Sequence, residues 1–240
     1  MVRHFVVITS AYKSGLRIAL DYLYDEVSME TIRSDLERIK VESSDNIVIS
    51  THLVTAETDQ WDSVVKMDSF FDGISIVRDV SEFVEIANQD GKITGRDVAE
   101  YILCKVRHCT HLQLEKLVYL CFADYLCTTK EPLFDNKIYA FKNGPVVSDV
   151  YEEYKQYGKN QISGRNLNYD LPYRSRLLCS SNGVTKIATI DNVIDMYGKM
   201  SAGQLVDKTH KKKSPWKMTY DGTRYKVIPN EIILQYHCNE

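Results

Sequence analysis

The chain lacks several features that would place it in a well-defined class. It has no run of about 18 apolar residues, so we expect no segment that spans a bilayer. It has no internal repeat and no low-complexity tract. The formal net charge is −3 and the pI is about 6.1, which excludes a general electrostatic attraction to nucleic acid or to an anionic membrane.

Motifs for common chemistries are also missing. There is no glycine-rich phosphate loop, since Ser14-Gly15 is a lone glycine, and there is no Gly-x-Ser-x-Gly elbow. Cys104, His108, Cys109 and His111 lie within eight residues, whereas a closed zinc site usually joins two ligand pairs across a longer gap. We therefore expect neither an enzyme, a metal site nor a cofactor.

The cysteines are few and scattered. Six occur, at 104, 109, 121, 127, 179 and 238, and most lie in apolar helical patterns where a thiol behaves as a small hydrophobe. Residues 1–4 lead into too few apolar residues for a secretory leader. These observations predict reduced thiols in a cytoplasmic protein rather than a disulfide framework.

Residues 1–91 have the pattern of a small α/β accessory domain that resembles no known family. Strands are predicted at residues 3–9, 47–49 and 74–77 because these runs are rich in β-branched or aromatic residues. Helical spacing of apolar residues predicts helices at 12–24, 28–39 and 79–87. Residues 43–46 are predicted to form a turn. The domain could adjust partner choice or dimerise, so a homo-oligomer through it is one expectation, and contact with operator DNA is another.

Residues 92–240 predict a second, mainly α-helical domain with a small β element, which makes the chain α+β overall. Thr94 and Asp97 have the spacing of a capping box at the start of a helix. Residues 112–126 are apolar on most faces, as expected for a helix at the centre of a domain. In this helix only Gln113, Glu115, Lys116 and Asp124 need water or polar partners.

A short extended piece and a turn follow this central helix. Residues 137–141 are predicted to be extended, and Lys142-Asn143-Gly144 is predicted to turn the chain. Pro145 suits the first position of a helix, which would continue to Gly158. Residues 159–188 have a mixed pattern, with loop-like stretches at 163–164, 166–170 and 180–183. Helices are predicted from residue 190, from Ser201 and from Pro229, with a short strand or loop at 221–228.

Read in order, the motifs of this region resemble a known family. They are Asp97 to Leu103, Leu112 to Leu120, Pro132-Leu133-Phe134, Ala140 to Val147, Leu205 with Thr209-His210, and Pro215-Trp216. Together, over about residues 94–236, they are similar to the Panacea domain of SocA-like antitoxins, which is common in prophages and toxin–antitoxin operons.

The resemblance implies a compact helical domain that neutralises a cognate toxin protein by direct binding. It also implies an alternative, in which the domain is a proteolytic adaptor that delivers the toxin to a AAA+ protease. A third alternative is a DNA-binding autoregulator of its own operon, although nucleic acid is not an expected partner because no base-reading helix motif is present. No membrane partner is expected.

The predicted partner-binding residues come from these motifs and the helix after them. They are Lys142, Asn143, Gly144, Pro145, Tyr151, Tyr154, His210 and Trp216. Structural explanations stay open for several of them, since Trp216 could be a core residue, His210 could bond backbone, and a Gly-Pro turn needs no function. The cluster Lys211-Lys212-Lys213 could attract an acidic toxin surface or could be a solvated loop.

Overall fold

The computed structural model describes residues 1–11, 16–43, 47–162 and 170–238. The chain divides into two compact units. Unit 1 comprises Met1–Lys92 with Cys179–Ser181, and unit 2 comprises Ile93–Leu178 with Asn182–Glu240. The predicted boundary between domains, at residues 91 and 92, stays a prediction about independently folding parts.

Unit 1 is built on a four-stranded sheet. Its strands are β1 Val2–Ala11, β2 Leu16–Leu23, β3 Ile49–Ala56 and β4 Ile74–Ile76, in the order β3-β1-β2-β4. β1 pairs antiparallel with β2 and β3, and β2 pairs parallel with β4. Val6, Val7 and Ile8 of β1 are all buried, which requires cover on both faces of the sheet.

Three helices provide this cover. They are α1 Met29–Glu42, α2 Trp61–Met67 and α3 Val80–Gly91, with a 3-10 turn at Ser69–Phe71. One core joins Val7 and Leu20 to residues of α1 and α3, and a second joins Val6 and Ile8 to residues of α2 and the 3-10 turn. Each sheet face therefore has its own apolar layer.

The predicted helix at 12–24 is wrong, because Leu16–Leu23 is strand β2. Leu16, Leu20 and Leu23 have helical spacing, but the segment pairs along its whole length with β1, from Ala11↔Leu16 to His4↔Leu23. Pairing and burial of Ile18 and Leu20 against the helices outweigh the local pattern. The start of that prediction, residues 12–15, and the predicted turn at 44–46 lie outside the described residues.

Unit 2 is mainly helical, and the predicted α+β class is confirmed. The helices that the structure describes here are α4 Gly95–Lys105, α5 His111–Thr129, α6 Ser148–Tyr154, α7 Leu171–Leu178, α8 Gly183–Tyr197, α9 Ala202–Thr209, α10 Pro215–Thr219 and α11 Asn230–Tyr236. The capping boxes predicted at Thr94 and Ser201 open α4 and α9. Among the described residues, no helix combines the length and apolar content that crossing a bilayer requires.

Helix α5 lies at the centre of unit 2, as its sequence predicts. Thr110 caps its start by accepting a hydrogen bond from the Gln113 backbone, and Lys130 ends it in the left-handed conformation. Nearly every residue from Gln113 to Leu126 is buried, including Glu115 and Lys116. α4, α8, α9 and α11 pack around it. A helix surrounded on all sides must satisfy its charged residues internally.

The small sheet of unit 2 has the order β6-β5-β7, with β5 Ile138–Phe141, β6 Gly144–Val147 and β7 Lys226–Val227. The predicted extended piece is thus β5. The prediction that Pro145 begins a helix is wrong, because Pro145 lies in β6 opposite Ala140, and α6 begins at Ser148. Pro145 has no N–H for a ladder, and a sheet accommodates it because β6 is an edge strand.

In the mixed stretch 159–188, α7 and the start of α8 are separated by a turn at residues 179–182, close to the loop predicted at 180–183. Residues 163–169 lie outside the described parts. The expectation of reduced thiols does not hold for Cys127 and Cys238, which form a disulfide across 111 residues of sequence. α11 packs along α5, which brings the Cα atoms of Cys127 and Cys238 to 5.4 Å from each other. No local pattern in the sequence indicates this contact.

Candidate functional site

Unit 2 contains a cavity of about 810 Å³ beside the first turns of α5. This is within the usual range for ligand pockets. Residues of α5, the β5–β6 turn, α6 and the segment after α10 line it. The lining residues are Thr110, His111, Leu112, Glu115, Lys116, Phe141, Lys142, Asn143, Val146, Tyr151, Lys155, Gly158, Lys159, Ala202, Tyr220, Gly222, Thr223 and Arg224.

A buried carboxylate lines this cavity. The Glu115 side chain is 1% exposed, and its Oε2 accepts a hydrogen bond of 3.1 Å from the backbone N–H of Val147. Its Oε1 has no hydrogen-bond partner among the described residues, and neither has the nearby Nε2 of His111. The two atoms are 3.4 Å apart, which is too long for a well-formed hydrogen bond. Burial raises the pKa of the Glu115 carboxyl, and His111 and Lys116 offset this only in part.

Lys116, the next residue, is buried completely. Its Nζ donates a 2.7 Å hydrogen bond to the carbonyl oxygen of Pro145. Burial lowers the pKa of Lys116 to about 8, while the negative charge of Glu115 opposes the shift. Together, Glu115 and Lys116 tie the central helix to both ends of β6.

Gly144 is needed where this lysine passes under the turn. Its φ of +107° is a conformation that favours glycine, and an added Cβ would lie 2.8 Å from Cε of Lys116. The motif Asn143-Gly144-Pro145 therefore has a structural role. It lets the β5–β6 turn close over the lysine at the edge of the cavity.

Aromatic side chains form much of the cavity wall. Phe141 meets Tyr151 edge to face, with ring centroids 5.2 Å apart, and Tyr151 lies 5.4 Å from the His111 ring. Tyr220 also lines the cavity and stacks on Trp216 at 4.9 Å. Rigid aromatic walls of this kind suit an apolar or aromatic ligand group.

The structure brings three of the predicted partner-binding residues to the cavity. Lys142 and Asn143 are exposed on the turn, and Tyr151 is partly buried in the wall. Gly144 and Pro145 are buried in β6 behind them.

The other three predicted residues point into the unit. Tyr154 is 2% exposed and donates to Glu100, and Trp216 is 6% exposed and donates to the carbonyl oxygen of Phe141 at 2.7 Å. His210 lies against the Trp216 ring, and its Nδ1 is 2.6 Å from the carbonyl oxygen of Val206. Their visible role is to hold the wall in place, and direct contact with a partner stays a prediction for them.

Sequence reasoning missed the cations at the rim. Lys155, Lys159 and Arg224 line the cavity with Lys142, and all four are exposed. Arg224 comes from the segment before β7 and lies over the Phe141 ring at 5.5 Å. No local pattern marks these residues, because they meet only through the pairing of β5 with β6 and β7. By contrast, the more conspicuous Lys211, Lys212 and Lys213 do not line the cavity.

The described residues are not arranged for a reactive cysteine or for a metal site. Cys104 and Cys109 are buried and lie outside the disulfide, and burial raises the pKa of Cys109 to about 12, so it is a poor nucleophile at neutral pH. Among the residues that the structure describes, no three His, Cys, Asp or Glu side chains are placed to hold a metal ion.

The part of the chain that resembles known proteins includes most of the residues that line the cavity. Residues 114–217 match the family model "Antitoxin SocA-like, Panacea domain". The chain is 29% identical over 135 residues to antitoxin SocA of Caulobacter vibrioides, an alignment that covers 54% of this chain and 72% of that protein. No solved structure matches. The matched range contains most of α5, the β5–β6 turn, His210 and Trp216, and this part of the chain is similar to the Panacea domain of SocA-like antitoxins.

Proposed function

We propose that this chain is an antitoxin that neutralises a cognate toxin by binding it directly in the cytoplasm. The main support is the Panacea match, together with a large cavity that lies partly within the matched range and is lined there by Lys142, Asn143 and Tyr151. Neutralisation by binding needs a surface with a few aromatic anchors rather than reacting groups. An enzyme is not part of the proposal.

The proposal is tested by expressing each reading frame next to this gene, alone and with the full chain. We expect one neighbour to stop growth, the full chain to restore it, and the two proteins to elute as one complex. If no neighbour is toxic, or if the chain restores growth without forming any complex, the proposal of direct binding is wrong. A frameshifted copy of the antitoxin gene is the control for expression load.

Delivery to a AAA+ protease is the alternative that the family resemblance raises. The toxin's half-life separates the two mechanisms. With masking alone, the half-life of the toxin is unchanged or longer when the antitoxin is present. With delivery it falls sharply, and the fall disappears in a strain without the protease.

Unit 1 and the loop that carries Lys211, Lys212 and Lys213, called the basic loop below, have less specific expected roles. In unit 1, β3 is an edge strand with Leu53 57% exposed, and exposed edges favour pairing with another chain. A homo-oligomer through this unit would appear as a doubled mass in light scattering.

Autoregulation through DNA would appear as a gel shift of the operon's own promoter. Reversal of charge at Lys211, Lys212 and Lys213 would remove this shift.

A further inference from the structure

The free oxygen of Glu115 points to a ligand that donates a hydrogen bond. A buried acceptor without a partner costs about 1–3 kcal/mol, and native proteins keep few of them. Oε1 belongs to a side chain that is 1% exposed, lines the cavity and is held in place by Val147. The carboxylate is therefore oriented before any ligand arrives, and Oε1 has Nε2 of His111 at 3.4 Å but no hydrogen bond among the described residues.

The charges around the cavity decide what kind of donor fits. Lys142, Lys155, Lys159 and Arg224 surround the opening, and Glu115 is the single acidic residue among its described lining residues. Lys155 forms an ion pair with Glu152. A ligand cation that approached Glu115 would pass the other three positive charges and meet Lys116 next to its target. A neutral donor avoids this repulsion, and negative charges beside it would match the rim.

The walls decide the shape of the group that carries the donor. Phe141, Tyr151 and Tyr220 form a largely apolar, aromatic surface between the rim and Glu115. An aromatic ring fills such a site, and tyrosine and tryptophan combine a ring with one O–H or N–H. These residue types are also frequent as anchors at the centres of protein interfaces.

We propose that the cavity receives a tyrosine or tryptophan side chain of the toxin, carried on an acidic segment. The ring lies against Phe141 and Tyr151, and its O–H or N–H donates to Oε1 of Glu115. Aspartate or glutamate residues on either side of the anchor pair with Lys142, Lys159 and Arg224. The partner in this proposal rests on the proposed antitoxin function, whereas the chemistry of the cavity does not.

Short peptides test the chemistry directly. The ¹⁵N-labelled full chain is titrated with the capped peptide Asp-Glu-Tyr-Glu-Asp and followed by NMR. We expect saturable shifts at residues of the cavity. The same peptide with phenylalanine at its centre should bind about tenfold more weakly, because Oε1 stays unpaired. A peptide with lysine in place of the four acidic residues should give no saturable shifts.

Two charge-reversed variants show where the peptide binds. The change Lys142→Glu with Lys159→Glu places two negative charges at the rim. The change Lys211→Glu with Lys212→Glu makes the same total charge change on the basic loop. All four lysines are exposed, so we expect both proteins to fold. The rim variant should lose binding of the tyrosine peptide by at least about tenfold, and the loop variant should stay within about twofold.

Several outcomes would overturn the proposal. They are no binding of the tyrosine peptide, equal binding of the tyrosine and phenylalanine peptides, and an equal loss in the rim and loop variants. ADP is titrated in parallel, and shifts at the cavity with ADP but not with the peptide would assign the site to a nucleotide instead.

Growth rescue separates this proposal from the proposed function. If the rim variant loses the peptide but still neutralises the toxin with full complex formation, the cavity is not the toxin site and the antitoxin function stands. If no neighbouring toxin exists but the peptides bind with the expected order, the antitoxin function fails and the site for an acidic aromatic segment stands.

Discussion

Each unit of this protein buries a charged cluster that contains a histidine, and the two clusters are completed differently. In unit 1, His4 is fully buried, its Nδ1 contacts both carboxylate oxygens of Asp21, and its Nε2 is 2.9 Å from the carbonyl oxygen of Thr58. In unit 2, Oε1 of Glu115 and Nε2 of His111 have no hydrogen-bond partner among the described residues. The first cluster is complete within the fold, whereas the second lines a cavity.

The comparison separates a buried charged cluster whose polar atoms are all satisfied by the fold from one in which two polar atoms have no hydrogen-bond partner among the described residues. Burial is similar in the two places, so burial alone does not mark a functional site. The difference lies in whether every polar atom is satisfied. It gives three predictions, in order of decreasing effect, and both units can be followed separately because Trp61 lies in unit 1 and Trp216 in unit 2.

The largest effect is expected when the complete cluster is broken. His4→Ala leaves the carboxylate of Asp21 partly buried without its partner, which should lower the free energy of unfolding of unit 1 by about 3–5 kcal/mol. Glu115→Gln in unit 2 should cost less, about 1–2 kcal/mol, because the amide still accepts the hydrogen bond from Val147 and only the attraction between Glu115 and Lys116 is lost. Urea denaturation, followed by tryptophan fluorescence, measures both. Equal losses in the two variants would remove the distinction between the clusters.

An intermediate effect is expected from the disulfide, which belongs to unit 2 alone. Cys238→Ser removes the link to Cys127 that closes a 111-residue interval, and should destabilise unit 2 by about 2–4 kcal/mol. The transition reported by Trp61 should not move, since residues 1–92 contain no cysteine. A reducing agent should reproduce the effect in the native chain and have no effect on the variant. Mass spectrometry of alkylated protein checks that the bond is present, and a chain with six free thiols would contradict the link.

The smallest effect is expected from the titration of Lys116. Its pKa is lowered to about 8 in the folded protein from an ordinary value near 10.5, so between these values the unfolded chain binds a proton that the folded chain does not. Stability should therefore rise with pH over this window, by on the order of 2–3 kcal/mol more than in Lys116→Met, which cannot titrate. Urea denaturation at pH 8 and pH 10 measures the difference. Parallel pH profiles for the two proteins would show that Lys116 titrates normally.

Much of the fold follows from local pattern in the sequence. The caps at Thr94 and Ser201 and the apolar central helix were predictable because capping and all-round burial leave short-range signals. The segment at 12–24 was not predictable, because Leu16, Leu20 and Leu23 fit a helix locally and only pairing with β1 makes them a strand. The local pattern likewise predicts a helix at Pro145, because the pairing of Pro145 with Ala140 depends on tertiary structure and leaves no local signal.

The candidate site was predictable only in part. The motifs and the helix after them predict Lys142, Asn143 and Tyr151, and the apolar pattern of α5 indicates that Glu115 needs a polar partner. The sequence could not show that Glu115 keeps one oxygen free, nor that Arg224 joins it across more than 100 residues of chain. Tryptophan is a common anchor at interfaces, yet Trp216 is buried, and its indole N–H donates a hydrogen bond to the carbonyl oxygen of Phe141.

We propose that the cavity beside α5 is the surface that holds a toxin. Hydrogen exchange of the full chain, alone and in complex with the toxin encoded beside it, tests this most directly. We expect slower exchange in residues 141–146 and 220–224, with no change in residues 61–71 of unit 1. Protection confined to unit 1 or to the loop at 211–213, with unchanged exchange at 141–146, would contradict it.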